Sequence, residues 1–257
     1  MVNDIMKASS LRRKQMTSII FITLIGFCAA IIQTTGGFGF GSLFVPLVSM
    51  IVAYRYATFI SIITCMFLQI SIIIKYFKKI QWQLIIVPAI ISFFTSYLGI
   101  HLMVGFSSKT MAVLLGIFLW ILAIYLILIA PKVQLKKNIW AELGVGAVSG
   151  FTGGMFAVGG PPMVAYYDSV IDDPVTYQAT IQTFFFLTSI AMVTEDILCI
   201  HLSSRIGILA LFGIIGCLIG TFIGTKILQR ISMKTVRKIA YIVMLLAGTY
   251  NLVKGIF

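Results

Sequence analysis

Long apolar runs, separated by short polar or basic segments, make up almost the whole chain. They cover residues 19–52, 57–74, 83–104, 110–130, 142–167, 176–194, 206–228 and 235–253. Most are close to the roughly 20 apolar residues that a helix needs to cross a bilayer. The runs are continuous, whereas the short strands of a membrane β-barrel alternate apolar and polar positions. The pattern therefore predicts an all-α integral membrane protein with about eight transmembrane helices.

Two polar, glycine-rich stretches interrupt the first and the fifth of these runs. They cover residues 33–46 and 149–162, and both contain several glycines and at least one proline. Glycine weakens a helix by about 1 kcal/mol and proline by about 3 kcal/mol. A wholly helical run over residues 19–52 would also be about 51 Å long, more than a straight crossing needs. We therefore expect a helix break in each stretch.

The two interruptions belong to two similar halves. Residues 98–110 align with residues 223–235 without a gap and keep a glycine, a serine, a lysine and a threonine. This similarity predicts two four-helix halves, each with its first helix broken. The expected organisation is a basic tail at 1–18, a first repeat at 19–130, a linker at 131–141 and a second repeat at 142–257.

Composition and charge agree with a membrane location. The chain is 60% hydrophobic and 10% charged, with a mean hydropathy of +1.08, whereas soluble domains carry about 25% charged residues. The net charge of +12 comes from basic residues at the ends of the apolar runs, which indicates topology signals rather than nucleic-acid binding. The basic tail places the N-terminus in the cytoplasm. Eight crossings then leave the basic cluster at 226–238 outside, unless a broken run re-enters without crossing.

A helix broken inside a membrane leaves backbone groups that only protein or water can satisfy. Two broken helices that face each other would point N-terminal N–H groups into a shared site, which suits an anion. Glycine lets a ligand approach the backbone closely. Close helix packing is the alternative explanation for such small residues. The candidate substrate-binding residues are Gln33, Thr34, Thr35, Gly36, Gly37, Gly39, Gly41, Ser42, Gly153, Gly154, Gly159, Gly160 and Pro161.

Other polar residues in the apolar runs are weaker candidates. Those of the second and sixth spans, including Ser61, Gln69 and Gln182, are expected to face the bundle interior as substrate contacts or as links between helices. For Gln69 we favour a link between helices. Glu195 and Asp196 lie at the end of the sixth span, where a solvated interface is favoured over a proton relay.

The remaining titratable residues give no catalytic site. His101 and His201 lie near span ends, where an interfacial role is favoured. Cysteines do not occur at metal-ligand spacing, and no nucleophile is paired with a base. We therefore expect no enzyme activity, no metal and no cofactor.

The residues around the two breaks resemble the signatures of a known family. Gln33-Thr34-Thr35-Gly36-Gly37-Phe38-Gly39-Phe40-Gly41, followed by Val45-Pro46-Leu47, is similar to the first-half signature of the TauE/SafE sulfite exporter family, also called the toluene-sulfonate uptake permease family. Gly153-Gly154, followed by Val158-Gly159-Gly160-Pro161-Pro162, is similar to its second-half signature. The resemblance covers nearly the whole chain.

The resemblance implies a multi-pass transporter that moves sulfite, sulfoacetate or a related sulfur-containing anion across a bacterial cytoplasmic membrane. Two positions depart from the family pattern. Ala157 stands where the second signature often has glycine, and Gln178 stands where many members have arginine. Arg55, at the matching end of the first run, is a candidate to supply part of that charge. Gln178 and Arg55 therefore join the candidate site.

The leading hypothesis is a secondary transporter that exports sulfite or a small organosulfonate through a midplane site between the two broken helices. Uptake of a sulfur source or of another small anion is the second hypothesis. A membrane scaffold without transport is the third. The expected partners are the small anion and the lipid bilayer, and a homodimer is left open.

Overall fold

Helices account for nearly all of the chain that the structure describes. The computed structural model describes residues 2–129, 135–199, 203–227 and 233–256, and these ranges contain no strand. The all-α prediction is therefore confirmed. A 3₁₀ turn (Phe77–Lys79) follows α3, and a π-helical turn (Tyr125–Ile129) follows α5. The helices are α1 (Val2–Gly36), α2 (Phe40–Val48), α3 (Tyr54–Tyr76), α4 (Trp82–Gly105), α5 (Ser108–Ile124), α6 (Ile139–Phe156), α7 (Gly160–Val170), α8 (Pro174–Cys199), α9 (Ser204–Ile227) and α10 (Met233–Ile256).

Six stretches in the described ranges are long and apolar enough to cross a membrane. They are Gln15–Gly36, Tyr54–Lys79, Trp82–Gly105, Ser108–Ile129, Pro174–Leu198 and Ser204–Lys226. Large apolar side chains such as Phe93, Phe94 and Tyr97 are exposed on the outer face of α4. Such a surface is unfavourable in water and favourable in lipid. The chain is a multi-pass membrane protein.

Helices α1, α3 and α9 run in the same direction. Along α9, residues nearer its N-terminus contact residues nearer the N-termini of α1 and α3. Residues nearer its C-terminus contact residues nearer the C-termini of those helices. A Cβ built on Gly216 would fall 2.1 Å from the carbonyl oxygen of Thr23, so α1 and α9 touch backbone to backbone. The contacting pairs are Thr23–Gly216 and Ile31–Gly224 between α1 and α9, and Thr64–Gly213 and Leu68–Cys217 between α3 and α9.

Helices α4, α6 and α8 run in the opposite direction to α3. Thr58, near the start of α3, contacts Met103, near the end of α4. Helix α10 packs antiparallel to α5, which itself follows α4 after a tight turn. The pairs that set the directions are Pro88–Gly146 and Ser96–Gly154 between α4 and α6, Gln81–Thr180 and His101–Glu195 between α4 and α8, and Lys109–Gly255 and Trp120–Gly248 between α5 and α10.

Each glycine-rich stretch reverses the chain. Since α1 and α3 run in the same direction, α2 between them has to return, and α7 between α6 and α8 has to return as well. In a continuous helix Ser149 and Gly159 would be about 15 Å apart. Instead, the hydroxyl of Ser149 donates a hydrogen bond to the carbonyl oxygen of Gly159. We call the two reversals hairpin 1 (α1–α2) and hairpin 2 (α6–α7).

The helix directions do not confirm the expected eight crossings. The chain reverses in both broken runs, whereas the alternative had been a single run that re-enters without crossing, and the two hairpins enter the bundle from opposite faces. A bend within one crossing would not have brought α2 back beside α1. The ends of α3, α5 and α9 consequently share one face, so the basic cluster at 226–238 follows a helix end on the same face as Lys78 and Lys79.

Asp173 fixes the start of α8 beside the end of α3. Its Oδ2 atom accepts hydrogen bonds from the N–H (3.1 Å) and the hydroxyl (2.5 Å) of Thr176, and Lys79 Nζ lies 3.8 Å away. The hydrogen bonds from Thr176, with the positive charge of Lys79, lower the pKa of Asp173. The side chain therefore acts as a charged N-cap, which also suits the dipole of the helix.

Candidate functional site

The tips of the two hairpins contact each other inside the bundle. A Cβ built on Gly41, in the first turn of α2, would fall 1.8 Å from the carbonyl oxygen of Ala157. A Cβ on Gly160, in the first turn of α7, would fall 2.8 Å from Cβ of Phe38. Only glycine permits this approach at either position. The prediction that the two breaks face each other thus matches the observed geometry.

Three glutamine amides hold hairpin 1 against α8, and we call these three side chains the hairpin clamp. Gln33 Oε1 accepts a hydrogen bond from the N–H of Phe40 (3.0 Å), across the reversal, and Gln33 Nε2 donates to Gln182 Oε1 (3.2 Å). Gln182 Nε2 donates to the carbonyl oxygen of Gly37 (3.1 Å) and to Gln178 Oε1 (3.3 Å). These groups are buried, and each bond satisfies a polar atom that would otherwise be costly to bury.

Hairpin 2 is held by side-chain hydroxyls that donate to backbone carbonyl oxygens, rather than by amides. The hydroxyl of Tyr54 donates to the carbonyl oxygen of Met155 (3.3 Å), and Ser149 donates to Gly159. Ala157 adopts the left-handed conformation, with φ 54° and ψ 29°. A Cβ raises the energy of this conformation by about 1–2 kcal/mol, so the departure from glycine noted at this position carries a strain.

A cavity lies between the two hairpin tips and the facing sides of α3 and α8. Its volume is about 70 Å³, enough for several waters or one small anion, because a single buried water needs about 10–15 Å³. Its walls combine glycine backbone, aromatic rings and small polar side chains. The lining residues are Gln33, Phe38, Gly39, Phe40, Gly41, Ser42, Ser61, Ile62, Cys65, Gln69, Ser149, Gly153, Ala157, Val158, Gly159, Gly160, Pro161, Phe185, Thr188, Ser189 and Met192.

Eight of the fifteen candidate substrate-binding residues line this cavity, and the other seven lie elsewhere. The eight are Gln33, Gly39, Gly41, Ser42, Gly153, Gly159, Gly160 and Pro161. Thr35 donates its hydroxyl hydrogen bond to the carbonyl oxygen of Ile31, within its own helix. Besides Thr35 and Gly36, five candidate residues lie outside the cavity, and their contacts explain their positions.

Packing accounts for three of the residues outside the cavity. A Cβ on Gly154 would fall 2.3 Å from the carbonyl oxygen of Ser96, so this glycine serves the α4–α6 contact. Gly37 has a positive φ of 84° and lies under the ring of Tyr177. Thr34 faces Gly224 of α9. Small residues at these positions permit helix contacts, which was the alternative explanation.

The two residues added through the resemblance also lie outside the cavity. Gln178 Nε2 donates to the carbonyl oxygen of Thr34 (3.1 Å) and its Oε1 accepts from Gln182, so its amide is fully used in the hairpin clamp. Arg55 is exposed at the start of α3, with its guanidinium 5.4 Å from the centre of the Tyr56 ring. Neither residue brings a positive charge to the cavity wall.

Helices α3 and α8 supply polar lining residues that the sequence placed only on spans. Ser61, Cys65 and Gln69 follow one another at four-residue spacing and therefore share one face of α3. Thr188 and Ser189 play the equivalent part on α8. Gln69 is 3% exposed, and its Oε1 has no hydrogen-bond partner in the described chain. It faces the cavity rather than linking helices, which corrects the expectation.

The cavity is neutral but rich in hydrogen-bond donors. None of its lining residues, all of which the structure describes, is an acid, a lysine, an arginine or a histidine. Helix α2 begins at Gly39 without a side-chain cap, so the N–H groups of Gly41 and Ser42 have no carbonyl partner within the helix. The hydroxyls of Ser61 and Ser189 also have no partner in the described chain.

The second helix start at the cavity differs from the first. Pro161 and Pro162 occupy the first turn of α7 and have no N–H to donate. The helix dipole still places partial positive charge at this end. The expectation of two equivalent sets of exposed amides is therefore met by α2 only, and α7 contributes Gly160 and the dipole.

The comparison with family models agrees with this geometry. The model described as "Sulfite exporter TauE/SafE" matches residues 22–251, a range that contains both helix breaks and every lining residue of the cavity. The chain belongs to the sulfite exporter TauE/SafE family. The family is one of membrane transporters of the sulfite or anion exporter type. Neither a curated protein nor a solved structure matches the chain.

Proposed function

We propose that the protein is a secondary transporter that exports sulfite or a small organosulfonate through the cavity between the hairpin tips. The observation that carries this proposal is an uncharged cavity lined by the start of α2, by Ser61 and by Ser189, where the helix start offers N–H donors and the two serines offer O–H donors. Such donors stabilise an oxyanion without the strong binding that a fixed positive charge would bring. Weak binding favours release on the far side of the membrane.

The packing of the helices supports an alternating-access mechanism. Helix α1 packs most closely on α9, and α6 packs most closely on α4, while α3 pairs with α8 and α5 pairs with α10. Helices α1 to α5 of the first half correspond in order to α6 to α10 of the second. Replacing each helix by its counterpart turns the α1–α9 pair into the α6–α4 pair, and leaves the α3–α8 and α5–α10 pairs unchanged. We infer that the halves are inverted repeats, which commonly place the substrate at the interface between two broken helices. Rocking of the hairpins would open the cavity to one face and then to the other.

The size of the cavity supports a compact oxyanion such as sulfite as the species held in this state. A longer organosulfonate requires the hairpin tips to separate. Export rather than uptake is proposed from the family description, and uptake of a small anion remains the second candidate. The charge-neutral lining is compatible with either direction, because the gradients rather than the site set the direction.

Flux of radiolabelled sulfite in proteoliposomes tests the proposal. We expect the wild-type protein to transport sulfite, and Ser61→Ala together with Gln69→Leu to lower the flux at least tenfold. Ser71→Ala is the matched control on α3, since its hydroxyl bonds to the carbonyl oxygen of Phe67 outside the cavity. Sulfite should also raise the melting temperature of the wild-type protein, because a ligand that binds only the folded state stabilises it.

Two outcomes would contradict the proposed function. One is the absence of sulfite or organosulfonate flux from protein that is shown to be folded. The other is flux that the cavity variants and the Ser71→Ala control retain equally. A folded protein without flux and without stabilisation by any anion would instead favour the membrane scaffold.

The helix directions also bear on orientation in the bacterial cytoplasmic membrane. Eleven of the 19 basic residues lie near the ends of α3, α5 and α9 or in the segments that follow these ends. The opposite face has eight, of which four are in the N-terminal tail. We propose that the face with eleven is cytoplasmic, because basic residues favour that side. This proposal reverses the cytoplasmic placement of the N-terminus that the basic tail had suggested.

Single cysteines in a variant without the four natural cysteines test this orientation. A membrane-impermeant thiol reagent added to intact cells is expected to label Lys109→Cys and to leave Lys79→Cys unlabelled. Labelling of Lys79→Cys alone would show that the N-terminal tail is cytoplasmic.

A further inference from the structure

Asp196 is a buried carboxylate without a hydrogen-bond partner. Its side chain is 1% exposed, and neither of its oxygens is hydrogen-bonded to any part of the chain that the structure describes. The sequence had placed it at a solvated interface because it lies near the end of α8. The structure corrects this, since the neighbouring helices cover Asp196 while Glu195 beside it is half-buried.

Asp196 belongs to the same stripe of α8 as the cavity wall. Phe185, Ser189 and Met192 line the cavity, and Asp196 follows Met192 by four residues, which places it one turn further along the same face. The axial distance from Met192 is about 6 Å. A charge at this position therefore acts on the cavity through low-dielectric protein rather than through water.

Among the described residues, no cation compensates a negative charge on Asp196. The one charged neighbour that acts on it is Glu195, which is itself acidic. Arg55 is exposed and lies over Tyr56, and the charged residues of α7 and of the 3₁₀ turn belong to the other end of α8. Among the described residues, the titratable or charged ones around this end of α8 are Glu195 itself, Tyr54 and Arg55 at the start of α3, Tyr97 and His101 near the end of α4, and Arg205 at the start of α9.

An unpaired carboxylate in such a place is costly, and the usual resolution is that it takes up a proton. The structure contains a route for that proton. His101 is exposed, Glu195 is half-buried and interacts electrostatically with His101, and Asp196 lies behind Glu195. The three residues form a series from the surface where α8 ends to the interior beside the cavity. Ionisable residues inside membrane segments often mark proton pathways.

We propose that Asp196 is a proton-binding site that couples proton movement to anion movement through the cavity. In one state its carboxylate oxygen forms an O–H bond with a proton that arrives from the face where α8 ends. In the other state that O–H bond breaks and the proton leaves towards the opposite face, so each cycle carries one proton. Proton binding by Asp196 stands on the geometry alone, whereas the coupling rests on the proposed transport function.

Infrared spectroscopy of the purified protein tests proton binding without any substrate. The carbonyl stretching band of a protonated carboxyl is expected at pH 7 in the wild-type protein, to disappear as the pH is raised, and to be absent from Asp196→Asn. Asp172→Asn is the control, because Asp172 is exposed in the loop before α8 and its replacement should leave the band unchanged. A missing band at pH 7 in the wild type, or the same band in Asp196→Asn, would overturn the proposal.

Transport measurements test the coupling separately. In proteoliposomes, Asp196→Asn is expected to lose at least tenfold in sulfite accumulation driven by a proton gradient, while sulfite exchange at equal pH on both sides stays within twofold of wild type. Asp196→Glu should restore part of the accumulation. Comparing variants at the same pH removes the effect of sulfite's own titration.

The two sets of measurements separate the possible failures. Equal gradient-driven accumulation by wild type and Asp196→Asn would refute the coupling. Failure of exchange in both proteins would count against the proposed function, and the infrared result would still decide whether Asp196 binds a proton.

Discussion

Replacement of Gly41 by alanine gives the sharpest test of the contact between the two hairpin tips. The new Cβ would fall 1.8 Å from the carbonyl oxygen of Ala157 and 2.9 Å from its carbonyl carbon. Ordinary contact begins at 3.4 Å, so the two tips would have to separate by about 1.6 Å. The obstacle is backbone, which cannot rotate away as the end of a side chain can.

The magnitude follows from a matched alanine variant in the same hairpin. Gly36 has no atom within 4 Å of its Cβ position, so Gly36→Ala should be neutral or stabilising by up to about 1 kcal/mol through helix propensity. Overpacking a closely packed site costs about 1–3 kcal/mol. We therefore expect Gly41→Ala to be less stable than Gly36→Ala by about 2–4 kcal/mol.

Thermal unfolding in detergent and sulfite flux measure the two consequences. A difference of this size corresponds to a melting temperature at least about 4 °C lower for Gly41→Ala than for Gly36→Ala. Because the separated tips also change the cavity between them, the flux of Gly41→Ala should fall at least tenfold while Gly36→Ala stays close to wild type. Equal melting temperatures and equal flux for the two variants would refute the contact between the hairpin tips.

Three further predictions concern the clamp, the strained alanine and the cap of α8. Ala157→Gly should raise the free energy of unfolding by up to about 1 kcal/mol, because it relieves the left-handed strain. The helical control Ala89→Gly should lower the free energy of unfolding by about the same amount. A melting temperature below wild type for Ala157→Gly would count against the strain. Gln182→Leu removes three buried hydrogen bonds and should lower the free energy of unfolding by roughly 2–4 kcal/mol. The control Gln83→Leu, on the exposed side of α4, should have little effect. Equal melting temperatures for these two variants would argue against the clamp. Since the pKa of Asp173 is lowered in the folded protein, its contribution to stability is present above the unfolded pKa and is lost as the pH falls through the folded value. Asp173→Ala should therefore melt below wild type at pH 7 and approach it at the acid end of a pH series, and a difference that does not depend on pH would show that the charge is unimportant.

The positions of the helix breaks could be predicted because the signal is local. Closely spaced glycine and proline residues inside an apolar run indicate a helix break, whatever the run packs against. The structure has helix breaks after Gly36 and after Phe156. The direction of the chain after each break was not local information. It depends on the contacts of α1 with α9 and of α6 with α4, which join residues far apart in the sequence. The one clue was the basic cluster at 226–238, which eight crossings would leave on the outside.

The candidate site was predicted in part for the same reason. Residues in the glycine-rich stretches were found because they stand out in an apolar background. Ser61 and Ser189 were harder to select, because a polar residue on a membrane helix can face a cavity or another helix equally well. Asp196 was misplaced because nearness to a helix end normally means exposure, and here the ends of neighbouring helices cover it.

The glycine-lined contacts of α1 with α9 and of α6 with α4 determine which parts of the protein can move as units. Backbones in direct contact leave no room for one helix to tilt without the other, so hairpin 1 is mechanically joined to a helix from the second half of the sequence and hairpin 2 to a helix from the first. In the proposed transport cycle, the two moving bodies are therefore assembled across the halves, like the exchanged segments of a domain-swapped dimer. A protein cut in the linker and expressed as two fragments would have to assemble before either body existed, and neither fragment alone could perform half of the cycle.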